Sequence, residues 1–155
     1  FLARPVEPEA LVPRIRRLLD REVAKRIRVL IVDDHAVVRD GIRAVLALQR
    51  DIQVVGEAVD GKDGLEKTIQ LMPDVVLMDI VMPVMNGLDA TREICQRCER
   101  AKVLVLTQYD DEENIKASRD AGALGFVPKA AASSRLLIGI RAVARGEEFI
   151  RSLLP

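Results

Sequence analysis

Residues 28–34 read Arg-Val-Leu-Ile-Val-Asp-Asp, a short β-rich apolar run closed by two carboxylates. The run does not alternate polar with apolar residues, which is how a strand buried on both faces of a parallel sheet reads. Two further runs share its form: Val75-Val76-Leu77-Met78, ended by Asp79, and Val103-Leu104-Val105-Leu106, ended by Thr107. Weaker strands fit 53–58 and 124–127, the second just ahead of Lys129. Helical patterns lie between them. Over 36–49, Val38, Ile42, Val45 and Leu46 recur on one helix face; further helices fit 62–72, 88–98, 111–121 and 134–145. Gly56, Gly61, Pro73, Gly87, Gly122, Gly125 and Gly146 read as punctuation at element ends. No internal repeat stands out. The alternation predicts an α/β fold, (βα)5 over about 120 residues, with one doubly wound parallel sheet and helices on both faces.

Composition narrows the function. The chain has 155 residues, 49% hydrophobic and 31% charged, which describes one globular domain with something left over. Lys and Arg number 24, as do Asp and Glu. With net charge zero there is no global basic field to hold a polyanion. Aromatics at 3% without Trp argue against stacking platforms for single strands. No apolar run approaches the roughly 20 residues of a membrane span, and no signal-peptide pattern opens the chain. The lone Cys95-x-x-Cys98 lacks the second ligand pair of a structural zinc site. It falls late in a helical stretch, so it reads as half-buried helix positions in a reducing compartment. A cytoplasmic location is expected. The chain opens on Phe1 and not on Met, and is expected to be a fragment of something longer.

Residues 1–26 have a different character, with seven basic residues against four acidic ones. Leu11, Ile15, Leu18 and Leu19 mark one helix face. Pro8 suits a first turn; Pro13 does not suit an interior, so the helix is expected to kink or start there. Basic amphipathic helices can lie on membranes, but packing on a neighbouring domain or chain is the favoured use here.

In an open parallel sheet, ligands bind at the carboxyl ends of the strands. Those ends carry Asp33, Asp34, Asp79, Thr107 and Lys129. Clustered carboxylates repel, and a hard divalent cation removes the conflict. Mg²⁺ takes oxygen ligands and bridges carboxylates to phosphate. A nearby ammonium neutralises a carboxylate or phosphoryl oxygen, and a hydroxyl donates to another. Such a set can hold a phosphoryl group on a carboxylate nucleophile. Asp33 and Asp34 are adjacent and open a helix, whereas Asp79 ends the central strand alone, before a loop with Pro83 and Gly87. Asp79 is therefore the nucleophile of choice. Each residue alone reads as a turn or cap; all five on one sheet edge do not. No Walker A sequence is present and no G-x-G-x-x-G follows the first strand, which disfavours nucleotide binding.

Several segments, in order and with matching spacing, make residues 27–150 resemble bacterial response-regulator receiver domains of the NarL/FixJ subfamily. They are 29–35 (Val-Leu-Ile-Val-Asp-Asp-His), 37–43, 73–80 (Pro-Asp-Val-Val-Leu-Met-Asp-Ile), 82–89 (Met-Pro-Val-Met-Asn-Gly-Leu-Asp), 105–111 and 122–129 (Gly-Ala-Leu-Gly-Phe-Val-Pro-Lys). The resemblance implies a flavodoxin-like sheet of order 2-1-3-4-5. It implies that Asp79 accepts a phosphoryl group from a histidine kinase. Mg²⁺ would be held by Asp33, Asp34, Asp79 and the Val81 backbone carbonyl, with Thr107 and Lys129 on the phosphoryl group. Thr107 and Phe126 would form the switch, with Tyr109 sharing it, and would alter the face made by the fourth helix, fifth strand and fifth helix. His35 would stand beside the metal site at a helix start.

Two departures matter. Pro128 precedes Lys129 and Ala130 follows it, leaving the cis or trans state of both bonds open, and Phe126 lacks the hydroxyl of a switch Tyr. The subfamily usually carries a C-terminal helix-turn-helix, so DNA contact is expected only through such a domain, with 151–155 starting the linker to it. Residues 1–21 resemble the end of a preceding receiver, with Arg4 where the Lys belongs. The expected division is thus a 1–26 extension, a 27–150 receiver and a 151–155 linker.

The helix over 134–145 is apolar nearly all round. It is expected to form a homodimer, to dock the 1–26 helix, or to be covered by a neighbouring loop; the 1–26 helix is the other candidate dimer surface. The function expected is a phosphorylation-controlled signalling switch, not an enzyme. Two alternatives stand beside it. A degenerate receiver acting as an interaction module is opposed by the five intact site residues. A phosphatase of the haloacid dehalogenase type would want Asp-x-Asp-x-Thr, but Asp79 is followed by Ile80 and Val81.

Overall fold

The computed structural model describes residues 8–150. In chain order the elements are α1 (Pro8–Ala24), β1 (Ile27–Val32), α2 (Ala36–Ala47), β2 (Ile52–Ala58), α3 (Gly61–Leu71) and β3 (Val75–Met78). There follow α4 (Gly87–Arg97), β4 (Lys102–Thr107), α5 (Glu112–Ala121), β5 (Gly125–Pro128), a 3-10 turn (Lys129–Ala131), α6 (Ala132–Ala144) and β6 (Phe149–Ile150). The sheet is parallel throughout, in the order β2-β1-β3-β4-β5-β6. The flavodoxin-like order is as expected, and β6 extends it by one short edge strand.

The non-alternating runs form strands whose side chains leave both faces into two cores. Leu30, Val32, Val76, Met78, Val103 and Val105 pack with Ile94 of α4 on one side. Val29, Ile31, Leu77 and Leu104 pack with Leu46 of α2 and Ile140 of α6 on the other. Each such side chain, once buried, contributes about 1.5–3 kcal/mol over its exposed state. Asp60, Asn86 and Asp111 accept the backbone N–H three residues on and start α3, α4 and α5.

Three local features differ from expectation. Gly56 lies inside β2 and ends nothing. Val29 pairs with Val54 and Leu30 with Gly56, so the register slips by one residue; a Cβ at Gly56 would come within 2.8 Å of Leu71 Cδ1. A glycine inside a strand marks such a bulge or close approach. Next, α1 runs through Pro13 without ending. Side chains from 12 to 19 face solvent, so water can satisfy the carbonyl that the missing N–H would have paired. Finally, most of the apolar surface of α6 is covered within the chain. Leu136, Ile140, Ala142 and Val143 are buried, Gly139 lies under the Phe149 ring, and Ile138 is the large apolar residue left exposed. The sheet takes Leu136, Ile140 and Val143 into its core, and Phe149 of β6 covers Gly139. The 1–26 helix takes no part: among the described residues, Val12, Ile15, Leu18 and Leu19 of α1 are 51–60% exposed.

Cys95 and Cys98 are free thiols at half-buried positions, one in α4 and one at its C-cap. Burial raises the Cys95 thiol above its ordinary value, which makes it a sluggish nucleophile.

Candidate functional site

The sheet order brings the carboxyl ends of β1, β3, β4 and β5 side by side. Val32 pairs with Met78, Met78 with Val105, and Thr107 with Pro128. The residues that leave these strands are Asp33, Asp79, Thr107 and Lys129, at one end of the sheet. Asp33 and Asp79 are 2% and 5% exposed, and Thr107 is fully buried. Asp34 is exposed, at the outer rim.

Lys129 reaches across from β5. Its Nζ donates to Asp33 Oδ2 at 2.8 Å and to Asp79 Oδ2 at 3.2 Å. The other oxygen of each carboxylate is held locally: the Ile80 N–H donates to Asp79 Oδ1 at 2.8 Å, and the His35 N–H to Asp33 Oδ1 at 2.8 Å. The His35 ring starts α2, with Nδ1 3.0 Å from Asp33 Oδ1 and 3.1 Å from Asp34 Oδ1. Asp33, Asp34, His35 and Asp79 each offer a ligand atom within 4.8 Å of the others.

The electrostatics follow from burial. Desolvation holds the Asp79 carboxyl above its ordinary range; the charge of Lys129 pulls it down without winning, and Asp33 pushes the same way as burial. Burial would lower Lys129, but the hydrogen bond it donates to Asp33 and the charge of Asp79 keep it above the ordinary lysine value. The lysine is thus a permanent cation between two buried carboxylates.

The remaining expected positions are placed as follows. The Tyr109 N–H donates to Thr107 Oγ1 at 3.3 Å, while its side chain is 45% exposed. Phe126 is buried beside Val105 of β4. Val81 is exposed in the loop after β3. No described peptide bond is cis, so the bonds into Pro128 and Ala130 are both trans. Arg4 and residues 151–155 lie outside the described residues.

Two supporting residues escaped the sequence reading. The Arg39 guanidinium donates to the Asp33 carbonyl at 2.6 Å and lies 3.6 Å from Glu57, which fixes the end of β1. Its signal was available: it follows His35 by four residues, one turn into α2. Gly87 packs so closely on the strand end that a Cβ would run into the Asp79 carbonyl, and its N–H donates to the Ile80 carbonyl at 2.7 Å. In the sequence it reads only as punctuation at an element end, in the loop that follows Asp79.

Comparison with known proteins agrees with this geometry. Residues 29–141 match the response regulator receiver domain family. The transcriptional regulatory protein LiaR of Bacillus subtilis is 42% identical over 126 residues, 81% of this chain and 60% of LiaR. A LuxR-family two-component response regulator from Aurantimonas superposes with TM-score 0.77 at 31% identity, over 83% of this chain and 91% of that one. The receiver domain of a NarL response regulator from Mycobacterium tuberculosis superposes with TM-score 0.76 at 30% identity, over 79% and 99%. The chain spans about three fifths of the length of the curated relatives it matches. With the fold, the sheet-edge cluster and these relatives agreeing, this chain belongs to the response regulator receiver domains, of the NarL/LuxR type.

Proposed function

We propose that this receiver is a phosphorylation switch in which Asp79 accepts the phosphoryl group from a histidine kinase. The observation that carries this is the pairing of two buried carboxylates with one ammonium, Lys129 bridging Asp33 and Asp79 at 2.8 and 3.2 Å. The donor set suits Mg²⁺: Asp33, Asp34 and Asp79 offer hard oxygens in one cluster, and it already draws the ring of His35 and the ammonium of Lys129. Asp33, Asp34, Asp79 and the Val81 carbonyl would hold the ion, which supplies charge neutralisation for the incoming phosphate. Lys129 would turn from Asp79 to the phosphoryl oxygens as a point charge. The Thr107 hydroxyl would leave the Tyr109 N–H and donate to the same group. Phe126 lies in the next strand, so a shift at Thr107 reaches β5 and, through it, α5 and α6. By analogy with LiaR, named a transcriptional regulatory protein, the output would be transcription, through a DNA-binding domain elsewhere in the parent protein, and the setting the bacterial cytoplasm. Among the described residues no helix is long and apolar enough to cross a membrane.

Intact mass after incubation with acetyl phosphate and Mg²⁺ tests this. The expected result is one phosphoryl group gained by the parent and none by Asp79→Asn. No gain in either overturns the assignment and leaves a degenerate interaction module.

A further inference from the structure

We propose that α1 is the closing helix of a second α/β unit, which precedes it in the polypeptide, and that its apolar stripe packs on that unit's parallel sheet. The argument starts from an exposure that has no partner. Val12, Ile15, Leu18 and Leu19 are 56%, 51%, 60% and 55% exposed on one side of α1. The receiver's own sheet cannot cover them. One face is closed by α2 and α6, the other by α3, α4 and α5. A second copy of this receiver would present the same closed faces.

The helix that these residues match is α6. Setting Phe1 beside Phe126 and reading on without a gap places Arg4 beside Lys129, Ile15 beside Ile140 and Arg16 beside Arg141. The helix starts then coincide within one residue, Pro8 standing beside Ser133 and α6 beginning at Ala132. On this register the four exposed residues of α1 fall beside Leu137, Ile140, Val143 and Ala144, all of which pack into the core under α6. Pro13 falls beside Ile138, an exposed position of α6. The apolar stripe of α1 therefore falls on the sheet side of α6, while Arg14 and Arg17 fall beside the buried Gly139 and Ala142, where the receiving sheet must leave room for their longer side chains.

Charge points the same way. Arg141 holds Asp51, ahead of β2, through Nε at 2.8 Å and Nη2 at 3.0 Å, and Gln49 through Nη2 at 3.0 Å. Arg16 stands at that position in α1 and is exposed. The sheet that receives α1 should carry a carboxylate where its second strand begins.

The test compares the 155-residue chain with the same chain extended upstream along its own reading frame. In the extended protein, hydrogen exchange of residues 12–21 should slow by about 100-fold, because these amides then open only with the unit they close. Ile15→Asp should lower an unfolding transition of the upstream unit and leave that of residues 27–150 unchanged; Ile15→Leu should restore it. Three results would each overturn the proposal. The upstream frame holds no alternating strand and helix pattern. The exchange rates are equal in the two proteins. Or the 155-residue chain dimerises, or binds vesicles of anionic phospholipid, in a way that Ile15→Asp abolishes.

Discussion

Replacing Lys129 by Met removes the ammonium and keeps most of the stem's volume. Asp33 and Asp79, 2% and 5% exposed, are then two buried carboxylates with no cation between them. Leaving a buried charge uncompensated costs about 3–5 kcal/mol. The protein has one cheaper response, which is to keep a proton on Asp79. Protonating a carboxyl of ordinary value 3.8 costs about 1.4 kcal/mol for each pH unit above that value. This caps the loss at roughly 1.6 kcal/mol at pH 5, and at roughly 5.7 kcal/mol at pH 8, where the burial figure is the tighter limit.

Asp79 already lies above its ordinary range through burial, and losing Lys129 raises it further. A carboxyl raised in the folded state keeps its proton there after the unfolded chain has lost it, so stability falls as pH rises through that window. Lys129→Met should therefore lose about 3 kcal/mol at pH 8 and half of that or less at pH 5. For a domain of this size, that is about 12 °C of Tm at pH 8 and no more than 6 °C at pH 5. Thermal melts followed by circular dichroism at the two pH values measure it. Equal losses at both, or none at pH 8, would refute the reading of Lys129 as the counter-ion of this pair.

Three further outcomes follow from the same geometry. Asp79→Asn should raise Tm at pH 7.5 and leave it nearly unchanged at pH 4, because the desolvation that raises Asp79 weighs on the protein only where the carboxylate is charged; calorimetry at the two pH values decides. Gly87→Ala should lower stability by about 1–3 kcal/mol and reduce acetyl-phosphate labelling, since the new methyl group displaces the Asp79 carbonyl; mass spectrometry and a urea melt check both. Tyr109 is the sole tyrosine, there is no Trp, and its N–H bonds Thr107, so its fluorescence should report Mg²⁺ titration. Asp34→Asn should weaken that response by about 10-fold or more, one charged oxygen ligand being lost.

The parts of this molecule that sequence reading reached are those dictated by burial on both sides. Arg28–Val32, Val75–Met78 and Val103–Leu106 each became a strand with ends shifted by at most one residue. A strand between two helical layers has no polar face, and nothing else in the chain reads that way. The site followed from those strands, because a parallel sheet delivers whatever ends its strands to a single edge. What stayed hidden depends on contacts between distant segments. Phe149 and Ile150 are too few to show a period, and they become a strand only because Gly125 and Phe126 are there to pair with. Gly87 looks like any helix start until the Asp79 carbonyl is seen against it.

The short β6 strand has a mechanical meaning. Phe149 pairs with Gly125 and Ile150 with Phe126, and the Phe149 N–H donates to the Leu124 carbonyl at 2.9 Å. The backbone thus leaves the receiver tethered to the very strand that carries Phe126 and leads into Lys129. Two residues of pairing and one half-buried ring make a latch weak enough to open by local unfolding at about 1–3 kcal/mol, well below the stability of the sheet itself. Under the proposed switch, a rearrangement of β5 would act on that latch directly and could open it while the rest of the sheet stays folded.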